Sequence, residues 1–425
     1  MKIGVMHWAF PPVVGGVESH LVYLYEEIAR RGHDVSILTS PHAQRKNDDY
    51  PWCKIISDDL MSIDHCLNKA GQDRYDRVYD MIESFISREE PDILHAHNFH
   101  YFVPDHAESL EELSRKYDVP MMLTIHNYWE DDLCRHLLKD IGWDRIVAVS
   151  YHTKNPCIFD ANVPPEKVEV HYHGVDLGHY CDRGDCSSIK SELGLTGGPI
   201  VFHPARACWS KGSLHSIRAV ASLKKKYPDI RLILSGNGES VDFDRERPSF
   251  QSDVGKLIKQ LGMEKHVLLV NASGDEMPLY MNAADLVVYP TIFPQGEAFG
   301  IAPVEAMACS KPVIVTNSGG LVESTSHGIN GLIIDKDPDK LTENLAENID
   351  RLLSDRAYAE YLGKNGREVA IERFDSTKMA QRMDGLYHRL VNDHLMQKIN
   401  RMDTIAGPRS GVKGTNADCT PFRSI

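Results

Sequence analysis

Long apolar runs are missing from this 425-residue chain: none approaches the roughly 20 residues that span a bilayer. The N-terminal KIGVMHWAF lacks the basic start, apolar stretch and small-residue cleavage site of a secretion signal. The nine cysteines are scattered, odd in number and form no C-x-x-C pair, a pattern of reduced thiols in a cytoplasm rather than of a disulfide framework. No G-x-G-x-x-G follows the first strand-like segment, which disfavours a dinucleotide-dependent oxidoreductase. Basic excess is missing as well. A net charge of −14 argues against a nucleic-acid partner and weakens any case for docking on anionic lipid, the Lys224-Lys225-Lys226 triplet reading as a solvated helix end. These absences together predict a soluble, cytoplasmic protein with no membrane association.

What is present is an ordinary globular composition, 42% hydrophobic and 25% charged, at a length that exceeds one core and predicts two domains. Short Val/Ile/Leu runs alternate with helical patterns from end to end. Strands are predicted at 2–8, 34–40, 92–98, 120–127, 145–150 and 167–173, then at 199–205, 230–236, 266–272, 285–291, 311–317 and 330–335. Between the first two, Val17, Leu21, Leu24 and Ile28 mark one face of a helix that Gly32 closes. Near-continuous apolar strands joined by helices predict an α/β fold of two doubly wound, parallel-sheet domains facing a cleft. The Gly- and Asp-rich stretch 174–188, with GLTGG at 194–198, is the expected linker. It separates a domain at 1–185 from one at 198–374; residues 375–395 form a helix that packs back on the first domain, and 397–425 a disordered polar tail.

In open parallel sheets ligands bind beyond the carboxyl ends of the strands, and the informative residues fall there. Gly15-Gly16, after the first strand and before a helix, let the backbone approach an anion, although a tight turn also uses Gly-Gly. Arg206 follows the strand at 199–205, and Lys211-Gly212 comes five positions later: two cations suited to a diphosphate, or two solvated residues. SGNGE at 235–239 is a further glycine-rich turn. The stretch GEAFGIAPVEAMA (296–308) places Glu297 and Glu305 around a Phe-Gly turn. With Pro303 as the first helical residue, the amides of Phe299, Gly300 and Ile301 point outward at a positive helix end. A carboxylate accepts two hydrogen bonds at once, which suits adjacent hydroxyls of a sugar or a ribose. Glu297 and Glu305 are therefore read as holding one sugar on either side of a diphosphate, the local alternative being helix-end decoration. Of the histidines, His95, His97, His100 and His126 cluster in sequence, but no spacing with cysteines or carboxylates supports a metal, and His95 and His97 are read as packing and loop residues.

Together these residues resemble the family 4 glycosyltransferases, retaining nucleotide-sugar enzymes of GT-B fold. The resemblance runs from Gly15-Gly16 to about Phe374 and is strongest at Glu297, Phe299, Gly300 and Glu305, which look like the family's E-x-F-G…E signature. KPVIVTNSGGLVE and HGINGLIID look like its glycine pair, glutamate (Glu323) and N-G-L run. The resemblance implies that Arg206 and Lys211 neutralise the leaving diphosphate with amides near Gly16 and at 299–301. It further implies that Glu305 binds the ribose, Glu297 the donor sugar, and His126 that sugar near its anomeric carbon. It makes His126, Glu297, Arg206 and Lys211 the catalytic set and requires no cofactor beyond the nucleotide sugar, UDP-linked by family frequency. Ala298 for the commoner glycine, the longer PTIFPQGE link and HGVD (173–176) for N-G-V-D bear on sugar identity. The acceptor is a hydroxylated small molecule or glycan, met by loops at 41–62 and 98–106. Nucleotide-sugar epimerases share the fold and are the alternative; a non-catalytic binding protein would be free to lose the cations and both glutamates.

Overall fold

A computed structural model describes residues 1–13, 15–68, 71, 73–235 and 250–406. Two parallel sheets organise them. The first runs β3-β2-β1-β4-β5-β6-β7, from β1 (Lys2–Met6), β2 (Asp34–Thr39), β3 (Cys53–Ser57), β4 (Ile93–His97), β5 (Met121–Ile125), β6 (Arg145–Ala148) and β7 (Val168–Val170). The second runs β10-β9-β8-β11-β12-β13, from β8 (Ile200–His203), β9 (Arg231–Ser235), β10 (Val267–Val270), β11 (Leu286–Tyr289), β12 (Val313–Thr316) and β13 (Leu332–Ile334). In both, strand order reverses beside the first strand of the domain (β1 next to β4, β8 next to β11), and the crevice beyond that point is where such sheets bind ligands.

Every predicted strand segment contains a strand. β3 is an addition: it lies inside the loop expected at 41–62, at the edge of the sheet, and its half-exposed residues carry no buried apolar run to announce it. Covering helices supply the cores. The Gly16–Arg30 helix buries Leu21, Leu24 and Ile28 as its spacing predicts, but its inward face also holds His20 and Tyr25 in place of the expected Val17. The last helix, Ser376–Ala406, lays Met379, Met383, Leu386 and Tyr387 against Leu21, Leu24, Tyr25 and the underside of β1. It continues past 397, where a polar tail was expected, to Ala406; the rest of that tail lies outside the described residues.

The chain crosses between the sheets twice, and the two crossings pair. Val175 N–H donates to Phe374 O at 2.7 Å and Ser376 N–H to Val175 O at 3.0 Å. That pairing leaves no room at Gly174, where a β-carbon would lie 2.7 Å from Ser376 Cα. Gly174→Val is therefore expected to cost about 1–3 kcal/mol through overpacking. The loss should appear as a lower urea midpoint at unchanged slope; an unaltered midpoint would show that the crossings can separate freely.

Candidate functional site: a cleft between two helix N-termini

The loops after β1, β5, β8 and β11 converge between the sheets. Gly15 caps the Gly16–Arg30 helix in an extended conformation, and Gly16 faces the Ile301–Ala308 helix of the other domain: a β-carbon on Gly16 would be 3.8 Å from Ile301 Cγ2. Two positive helix ends thus meet across the cleft, each with first-turn amides that have no partner inside their helix. Gly300 makes the second turn possible. Its φ of +82° is left-handed, and a β-carbon there would sit 2.4 Å from Leu321 Cδ2. The helix begins at Ile301, two residues earlier than expected, so Pro303 is its third residue rather than its first. The absent N–H still costs nothing in that first turn.

Lys211 stands at the mouth of β8, just before the Ser213–Leu223 helix, and donates to both oxygens of Glu297 at 2.9 and 2.7 Å. It also lies over the Tyr289 ring, 5.3 Å from its centroid. Burial lowers the lysine pKa and the Glu297 carboxylate more than offsets that, so the ammonium is held charged. Arg206 lies three residues past the end of β8, half-buried in the same loop.

Glu305 is almost fully buried, and the desolvation raises its pKa to about 7 against the stabilising hydrogen bonds of Tyr180 and Tyr23. The Tyr23 hydroxyl, from the helix of the first domain, donates to Glu305 Oε1 at 3.3 Å. Burial and the Glu305 charge hold both phenols well above their ordinary pKa, so they remain donors. Further across the junction, Glu323 accepts Tyr151 N–H at 2.9 Å and His152 N–H at 2.8 Å, capping the Tyr151–Phe159 helix from the opposite domain. The Ser150 hydroxyl donates to Ala298 O at 2.6 Å.

His126, one residue past β5, belongs to a buried imidazole chain. His97 Nδ1 is 2.9 Å from His126 Nε2, and His126 Nδ1 is 3.0 Å from His173 Nε2. His97 Nε2 meets the Tyr25 hydroxyl at 2.7 Å, which also meets His95 Nδ1 at 2.8 Å. His173, the HGVD residue, packs edge-on against Phe299 at 5.3 Å and so ties His126 to the 297–305 segment. Burial pushes the pKa of His97 and His126 far below the ordinary imidazole value. His95 and His97 pack as expected, and both nitrogens of His126 have imidazole partners.

The structure therefore brings Lys211 onto Glu297, Gly16 onto the start of the Ile301–Ala308 helix, and His173, the partner of His126, onto Phe299. Sequence reasoning missed Tyr23, Tyr180 and His20; His173 left a trace only as a departure from N-G-V-D, and Glu323 only as the glutamate that closes KPVIVTNSGGLVE. The glycine-rich turn beyond Ser235, residues 236–239, lies outside the described residues.

Two family descriptions match this chain: Glycosyltransferase Family 4 over residues 14–179 and Glycosyl transferases group 1 over 187–369. An uncharacterized glycosyltransferase of Methanocaldococcus jannaschii is 25% identical, covering 91% of this chain and 98% of its own. The N-acetyl-alpha-D-glucosaminyl L-malate synthase of Bacillus anthracis is 25% identical over 94% of this chain and all of its own. Among solved structures, Anabaena HepE in complex with UDP-glucose superposes with a TM-score of 0.75 at 21% identity, covering 92% of this chain and 100% of that one. The fold is thus that of the GT-B glycosyltransferases. Among the described residues no helix is long and apolar enough to cross a membrane.

Glu305 yields a stability prediction. Its folded pKa, about 7, lies above the ordinary 4.5, so the folded state holds a proton that the unfolded state has released. Its favourable contribution is complete below the unfolded value and is lost as pH rises through about 7. The neutral Glu305→Gln chain should therefore match the wild type near pH 5 and exceed it by on the order of 2–3 kcal/mol at pH 8. Chemical denaturation at the two pH values reads this difference; a constant offset would mean that the carboxyl ionises normally.

Proposed function

From its membership of the group 1 and family 4 glycosyltransferases, we propose that this chain moves a sugar from a nucleotide-diphosphate donor, UDP-linked, to an acceptor hydroxyl with retention of configuration. Residues 1–185 serve as the acceptor domain, with the 375–395 helix returning to it, and 198–374 as the donor domain. The observation that carries the reading is the pairing of Lys211 with Glu297 beside two converging helix N-termini. Cation and carboxylate neutralise each other, and a diphosphate and a sugar replace each as the other's partner.

In that reading the diphosphate lies between Gly16 and Ile301, its charge met by Arg206, Lys211 and the amides around Phe299–Ile301. Glu305 turns from Tyr23 and Tyr180 to the ribose hydroxyls, and Glu297, released by Lys211, accepts from the donor sugar. His126 exchanges its Nδ1 contact with His173 for a hydroxyl of that sugar. The anomeric carbon–oxygen bond breaks and the nucleoside diphosphate leaves with the electron pair. The acceptor oxygen bonds the same face, and its proton passes to the departing phosphate. Stabilisation of the leaving group dominates, and no metal is needed for it. The capture of UDP-glucose by the HepE fold supports the donor class. A pocket lined by Asn127, Trp129, His152, Phe293, Gly296 and Ala298 suits the acceptor. The relatives named as glycosyltransferases do not favour the epimerase alternative. The cytoplasm, which supplies nucleotide sugars, is the proposed location.

Arg206→Ala, Lys211→Ala and Glu305→Ala should each lower transfer by about a hundredfold or more while remaining folded. A panel of nucleotide sugars in a thermal-shift assay identifies the donor, since a ligand at 100 times its Kd adds about 2.7 kcal/mol. Proton NMR of the product reads the anomeric configuration. Full activity in the Arg206 variant, or an inverted product, would overturn the proposal.

A further inference from the structure

The imidazole chain holds one member with nothing to do. His20, on the Gly16–Arg30 helix, is 2% exposed, and neither of its ring nitrogens has a hydrogen-bond partner. An orphaned polar group at that depth is costly. It stacks on His173 with centroids 4.3 Å apart and stands 5.1 Å from the ring of His126 and 6.0 Å from that of His97. One ring nitrogen from each of His20, His97 and His126 lies within 4.8 Å of those from the other two.

We propose that His20, His97 and His126 form a binding site for a single divalent transition-metal ion, zinc in the first instance. The donor set fits: three imidazoles and no thiolate or water-exposed carboxylate select Zn²⁺, Co²⁺, Ni²⁺ or Cu²⁺ over Mg²⁺ and Ca²⁺. The outer contacts fit as well. Imidazole ligands normally have their second nitrogen fixed by a hydrogen bond that sets ring orientation and tautomer. Here the Tyr25 hydroxyl holds His97 Nε2 and His173 holds His126 Nδ1, leaving His97 Nδ1 and His126 Nε2 facing each other at 2.9 Å. Nitrogens on one tetrahedral zinc are roughly 3.3 Å apart at bond lengths of about 2.0–2.1 Å. A slight opening of the His97–His126 pair and a slight approach by His20 thus bring all three to bonding distance. Burial holds the three rings in the neutral form that ligates metal. Glu18, 3.8 Å from His7 Nε2 on the edge of the cluster, contributes negative charge to balance the ion.

The site has a consequence for His126. With Nε2 on the metal, its proton resides on Nδ1, so the ring becomes a donor toward His173 and the cleft. The proposal does not depend on transfer activity, and its test measures metal directly.

Tag-free full-length chain, stripped with chelator and then dialysed against zinc, is expected to retain one equivalent by elemental analysis. Loading with Co²⁺ should give the intense visible d–d bands of a four-coordinate site with three imidazole nitrogens. In His20→Phe no native hydrogen bond is lost, so the chain stays folded by circular dichroism, while zinc affinity falls at least about tenfold. His97→Gln should lose the cobalt spectrum likewise. Failure of the wild type to retain zinc overturns the proposal, and so does retention that is equal in wild type and His20→Phe.

Discussion

A charged lysine half-buried over the face of a tyrosine is tolerable only while something answers its charge. In this chain the answer is Glu297, which takes two hydrogen bonds from Lys211 over the face of Tyr289. Removing water from both groups is expensive, and their mutual attraction offsets the expense only in good geometry. The pair is therefore an exchangeable one. A ligand that brings a diphosphate for the lysine and hydroxyls for the carboxylate loses little by separating them, because neither partner is left unsatisfied. A ligand with only one of these features leaves a buried charge uncompensated. Under the proposed function, selectivity for an activated sugar over a free nucleotide or a free sugar follows from this electrostatic requirement.

The same logic of satisfied burial governs the other side of the cleft. Glu305 is kept close to neutrality at physiological pH by desolvation, while Tyr23 and Tyr180 supply hydroxyls that favour its ionised form. Tyr23 belongs to one sheet's covering helix and Glu305 to the other's, so the state of the carboxyl and the approach of the two domains are coupled. Glu323 works in the same direction. Its carboxylate substitutes for the missing intrahelical acceptors at the start of the Tyr151–Phe159 helix, and it also accepts the Tyr172 hydroxyl at 3.0 Å. A helix N-terminus in one domain is thus capped by the other.

The two-sheet architecture was legible because parallel strands covered on both faces are written as continuous apolar runs, and those runs survive at every predicted strand. β3 was not legible, since an edge strand exposed on one side needs no such run. The Glu297–Phe299–Gly300–Glu305 segment was legible for a different reason: glycine with left-handed φ and carboxylates at fixed offsets leave a local pattern. Partners supplied by distant parts of the chain leave none. Tyr23 and Glu305 are separated by 282 positions, and nothing about a tyrosine on an amphipathic helix marks it as a carboxylate's donor. The imidazole chain was hidden likewise. His97 ends β4 and His126 lies one residue past the neighbouring β5, whereas His20 arrives from a helix and His173 from the loop after β7.

Why that chain is made of imidazoles rather than aliphatic side chains is the remaining physical question. β4 and β5 lie in the middle of the sheet, where leucine or valine in place of His95 and His97 would avoid all desolvation. The histidines persist there because each can pass its polarity to the next: Thr124 and Tyr387 to His95, Tyr25 between His95 and His97, then His126 and His173. Such a relay gives every ring at least one partner except His20, whose two nitrogens it does not reach. A satisfied network explains its own members and cannot explain the one it excludes. An ion at the junction of His20, His97 and His126 accounts for that residue and leaves the rest of the relay as the outer contacts that such a site requires.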